Sequence, residues 1–109
     1  MPSRTIQELS EKIKNARIGK VEKDELVKLI SSLKTELEGL SATNKEHAES
    51  IANFAEASAH EAVKKEQNPE LREISIKGLT TSVEDFEALH PSLVKIVNRI
   101  SVMLSNIGI

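Results

Sequence analysis

Between Ile76 and Ile107 the apolar residues of this chain recur at alternating steps of three and four: Ile76, Leu79, Val83, Phe86, Leu93, Val97, Ile100, Leu104 and Ile107. His90 stands in phase within that row and alone breaks its apolar character. A half-buried strand would alternate every second residue, and a loop would show no period. The row therefore prescribes helix, with a stripe that another helix must cover.

The segment after Ser92 makes a stronger demand. Leu93, Val94, Ile96, Val97, Ile100, Val102, Met103, Leu104 and Ile107 occupy most of the helix circumference, with Lys95 and Arg99 as its only charges. A helix apolar on nearly every side is normally buried on every side. Each buried Leu, Ile or Val is worth roughly 1.5–3 kcal/mol, so half of such a helix left in water would forfeit on the order of 10 kcal/mol. A chain of four or five helices has few partners to offer, and a second copy is the simplest cover.

The upstream sequence reads as further helices. Thr5-Ile6-Gln7-Glu8 fits a capping box, which places the start of the first helix near Thr5. Its stripe is Ile6, Leu9, Ile13 and Ala16, with Glu8 and Lys12 paired four apart and Gly19 as the stop. The second helix, from about Glu22 to Glu38, carries Leu26, Ile30, Leu33, Leu37 and Leu40, widened by Val27 and Leu29, and Gly39 is its expected stop. These two helices form an antiparallel hairpin over residues 5–40.

A second capping-box match, Thr43-Asn44-Lys45-Glu46, opens a third helix reaching about Glu66. It is rich in alanine and carries only Ile51, Phe54 and Val63 as large apolar residues, so it has little area to bury. Such a helix either packs very closely on a neighbour or stands out as a weakly held arm. Asn68-Pro69 provides an N-cap and a first-turn proline for the fourth helix. Gly78 and Thr81-Ser82-Val83-Glu84 would allow that helix to break, so one helix and two both fit. At His90-Pro91 a kink and a turn both fit, with the turn favoured and Pro91 at a helix start.

With 109 residues the chain is a single helical domain, in which 41–68 reads as a possible insertion and 69–109 as helices broken or kinked at His90-Pro91. Phe54 and Phe86 are its only aromatics, so the core is aliphatic. The absence of cysteine excludes disulfides, thiolate metal sites and cysteine nucleophiles. No apolar run is long and clean enough to span a bilayer, and the N-terminus has no signal-peptide core, so a cytoplasmic location is expected. A net charge of −2 argues against a dedicated polyanion binder.

The C-terminal motif carries a resemblance. Phe86-Glu87-Ala88-Leu89-His90-Pro91-Ser92-Leu93, followed by Leu104-Ser105-Asn106-Ile107-Gly108-Ile109, resembles a family of short bacterial helical proteins catalogued only as a domain of unknown function. In that family a Phe-Glu precedes a His-Pro, an amphipathic helix follows, and a Gly-Ile ends the chain. The N-terminal hairpin is similar in pattern but less specific, and residues 41 to about 70 look like an extra segment. The resemblance implies an all-helical fold and transfers no activity.

Candidate chemistry is sparse. Glu87-Ala88-Leu89-His90 has the Glu-x-x-His spacing of di-iron bundles, but such a site needs the motif twice and two more glutamates, which only an oligomer could assemble. The simpler role of His90 is as a cap or packing residue at the turn. Glu56, His60 and Lys64 share one face of the third helix, while His47 and His60, thirteen apart, point about 140° away from each other. The isolated glycines form no phosphate loop. Gly108-Ile109 reads as a C-cap of Schellman type. Two cations, Lys95 and Arg99, make a poor basic face for a membrane surface.

The expected protein is all-α, a bundle of antiparallel helical hairpins with coiled-coil-like packing and no cofactor or metal. Its leading function is non-enzymatic protein–protein interaction or self-assembly, with itself or another helical protein as partner. The candidate interface is Leu79, Val83, Phe86, Leu93, Val97, Ile100, Leu104 and Ile107, where Ile100→Asp or Leu104→Asp would dissociate or unfold the protein. The first alternative is nucleic-acid association through Lys12, Lys14, Arg17, Lys20 and Lys23, which Glu11, Glu22, Asp24 and Glu25 dilute. The second is a metal-binding bundle assembled across an oligomer.

Overall fold

The computed structural model describes residues 2–15, 18–64 and 68–107, with side chains from Arg4 onward. Ala16, Arg17, the expected end of the third helix near Glu66, and the Gly108-Ile109 cap lie outside the described residues. The elements are α1 (Pro2–Asn15), α2 (Lys20–Ser41), α3 (Lys45–Val63), α4 (Pro69–Val83), a single 3-10 turn (Glu84–Phe86) and α5 (Pro91–Ile107). The fold is all-α, as the periodicity requires.

Helix boundaries depart from the sequence reading where a local signal was overruled. α1 begins at Pro2, so Thr5 to Glu8 lie inside the helix rather than capping it. A proline at the first helical position has its φ already set, and its missing N–H costs nothing there. Gly19 does not stop α1 in a left-handed conformation. It is the N-cap of α2, with φ −57° and ψ 146°, and its carbonyl accepts from Lys23 N at 2.9 Å. α2 runs on through Gly39 to Ser41. The second capping box also fails to form. Thr43 Oγ1 donates to the Leu40 carbonyl at 3.3 Å, closing off α2, and Asn44 takes the N-cap position of α3 without a side-chain cap bond.

The proline signals hold. Asn68 Oδ1 accepts from Leu71 N at 3.2 Å, with Pro69 opening α4. The chain turns at His90, whose N–H donates to the Phe86 carbonyl at 2.7 Å, and Pro91 opens α5. α4 passes unbroken through Gly78. The glycine is there for a neighbour: a Cβ at this position would lie 2.6 Å from Cε1 of Phe54, which rests on the bare backbone.

α3 is the axis of the molecule. It touches each of the other four helices, while α1, α2, α5 and α4 follow one another around it. Among the described residues α1 and α4 do not meet, so the ring stays open there. Direction follows from neighbours. Lys23 of α2 reaches the Lys14 carbonyl near the end of α1, so those helices are antiparallel. Lys12 of α1 meets Glu56 and His60 in the later half of α3, so α1 and α3 run the same way. The alanines explain why α3 fits: Ala48, Ala52, Ala55, Ala59 and Ala62 are all buried, which lets flanking helices approach its backbone. The Ala-rich segment is thus closely packed and is not an exposed arm.

Candidate functional site

The expected interface residues are mostly spent inside the chain. Leu79, Val83, Leu93, Val97, Ile100 and Leu104 are each at most 1% exposed. The reason is that α5 has more cover than a short bundle was expected to provide, since it packs on α2, α3 and α4 at once. Phe86 is half-buried, with the His47 ring edge-on at 5.3 Å and the His90 ring at 6.0 Å. Ile107 is half-buried at the lower end of the seam between α2 and α5.

What α5 leaves uncovered is its edge along α2. Three adjoining hollows of about 490, 400 and 450 Å³ follow one another down this seam and share Arg99, Lys95, Glu25 and Met103 among their walls. Together they form one open groove. Leu29, Ile96, Met103 and Ile107 supply its apolar lining, and Val102 rises beside it, 60% exposed. Glu36 shares the upper hollow with Ser92 and Lys95, whereas Glu22 and Gly19 share the lower one with Asn106 and Ile107. The start of α2 therefore lies beside the end of α5, and the two are antiparallel.

The groove has walls of opposite charge. α2 contributes Glu22, Glu25 and Glu36; α5 contributes Lys95 and Arg99. Arg99 Nη2 donates to Glu25 Oε1 at 3.2 Å across the seam, and both side chains remain largely in water. An exposed pair of this kind contributes roughly 0–1 kcal/mol to folding.

The described residues of the basic cluster divide between two neighbourhoods. Lys12 turns toward α3, pairs with Glu56 and approaches His60 Nδ1 at 3.3 Å. Lys23 Nζ donates to the Lys14 carbonyl at 2.9 Å. Lys14 and Lys20 are exposed, and Arg17 lies outside the described residues. The Glu56–His60–Lys64 face is brought against Lys12, Glu8 and Glu11 in a hollow of about 570 Å³, where charges of both signs compensate one another. Glu87 is exposed while His90 turns to Phe86. Among the described residues no three His, Asp or Glu side chains are placed to hold a metal ion, and no helix is long and apolar enough to cross a membrane.

Two features escaped the sequence reading. The acidic wall of α2 is one, because nothing in the order of residues links Glu25 to Arg99. The other is an apolar patch at the α3–α4 edge. Phe54 covers Gly78, and Ile74 and Leu71 lie on the same side of α4, one and two turns earlier. A phenylalanine on an otherwise alanine-rich helix was its one visible signal.

The chain has no significant match among curated proteins or among solved structures. A family model does match it, from residue 26 to residue 109. The match begins within α2, leaves out α1, and spans α3, the segment that read as a possible insertion. Covering well over half of the chain, it shows that this protein belongs to the family described as a domain of unknown function, DUF4404.

Proposed function

We propose that this protein is a non-enzymatic helical interaction module that associates with a second copy of itself. The observation that carries the reading is the open α2/α5 groove, which is lined by Leu29, Ile96, Met103 and Ile107 between charged walls and is topped by an exposed Val102. Small-molecule sites are concave and bury most of their ligand. A long shallow channel between two neighbouring helices instead matches the shape of another helical surface.

The buried row from Leu79 to Leu104 supports folding, so Ile100→Asp and Leu104→Asp are tests of stability and leave assembly unaddressed. Nucleic-acid association is the weaker reading because Lys12 and Lys23 already have partners within the chain. Solution mass by light scattering over a hundredfold concentration range tests self-association. The mass is expected to rise from that of one 12.0 kDa chain toward twice that value. A constant single-chain mass throughout would sink the reading.

A further inference from the structure

We propose that the second copy docks on the α2/α5 face about a two-fold axis parallel to these helices, so that the acidic wall of each protomer meets the basic wall of its partner. This arrangement rests on the self-association reading and adds the surface and the symmetry.

The two walls carry opposite charge at the height where Glu25 meets Arg99. Glu25 and Arg99 meet across the groove at 3.2 Å, and Glu36 and Lys95 both line its upper hollow, with Glu36 about 10 Å further along the seam. A two-fold axis running along the groove leaves every height unchanged and exchanges the walls. Glu25 of one protomer then faces Arg99 of its partner, twice by symmetry, while Glu36 lies on the wall opposite the partner's basic wall without standing level with its lysine. Arg99 has the capacity for this, since guanidinium carries five N–H donors and its side chain is 64% exposed. A two-fold axis across the helices would lay α5 on α5 and α2 on α2. That arrangement sets like-charged walls against each other, which opposes association. Asp24 and Lys28, also exposed on α2, offset one another. Val102 of each protomer would be removed from water.

The face is modest in size. α5 has 17 residues, which is about 25 Å at the helical rise, and two helices side by side are roughly 20 Å wide. That is on the order of 500 Å² per protomer, at the small end for a stable dimer. The dimer should therefore dissociate on dilution and weaken with salt.

The test is charge reversal in three forms of the full chain, each checked for native helicity and melting by circular dichroism. Lys95→Glu with Arg99→Glu makes both walls acidic. Glu25→Lys with Glu36→Lys makes both basic. The fourfold variant exchanges the walls. The proposal expects each double variant to raise the dimer dissociation constant at least tenfold in sedimentation equilibrium, and the fourfold variant to return it near wild type. Dimers of unchanged strength in all three would overturn this face while leaving self-association standing. Weak dimers in all three would overturn the wall-to-wall symmetry. A wild-type chain that stays monomeric would remove the self-association reading and this arrangement with it. Val102→Asp gives an independent check, with the same tenfold loss expected and an unchanged constant counting against the face.

Discussion

Gly39 and Gly78 both sit inside helices, yet they respond to opposite pressures. A Cβ on Gly39 would meet nothing within 4 Å, and its φ is not positive. Gly39→Ala should therefore stabilise the protein by about 0.5–1 kcal/mol, the usual difference between glycine and alanine in a helix interior. Gly78→Ala gains the same backbone term but must move the Phe54 ring, 2.6 Å from the new carbon. Urea unfolding should show Gly78→Ala as less favourable than Gly39→Ala, and the difference should vanish in a Phe54→Ala background. If it persists there, the ring is not the reason for the glycine. Sequence could not separate these cases. Glycine reads as a stop wherever a helix might end, and whether α2 continues past Gly39 depends on Leu40 finding a place in the core. Proline was more legible because its restriction is built into its own ring: Pro69 and Pro91 open helices as expected.

At the scale of the element, the apolar periods of α2 and α5 were legible because period and burial obey the same geometry, and Leu26, Ile30, Leu33, Leu37 and Leu40 are all buried as spaced. The role of α3 was not. Its alanines are compatible with an exposed arm or with an axis, and only the number of neighbours decides between them. Touching four helices, α3 must be thin, and large side chains on it would hold the others off. Ala55→Leu should then cost roughly 1–3 kcal/mol or more through overpacking. Ala57→Leu, at a half-buried position facing the open side of the ring, should stay within about 1 kcal/mol. Equal costs, measured by thermal or urea unfolding, would mean that α3 is not packed as an axis. The same limit applies to the candidate site. The apolar stripe of α5 could be read from its period, but which part remained outside depended on where α2, α3 and α4 came to lie.

The molecule as a folding unit is larger than the span its family model matches. That match starts at residue 26, partway through α2, and excludes α1. Yet α1 lays Ile6, Leu9 and Ile13 into the core, each at most 2% exposed, between α2 and α3. At the usual value per buried aliphatic side chain these residues contribute roughly 5–9 kcal/mol before the cost of ordering the helix. A domain of this size has a net stability of about 5–15 kcal/mol. Removing α1 also bares the faces of α2 and α3 that it covers, so the remaining chain loses more than α1 itself. A chain beginning at Gly19 should therefore lack a cooperative thermal transition, or melt at least 15 °C below the full chain, while retaining much of its helical signal. A sharp transition within a few degrees of the full chain's would place α1 outside the cooperative unit.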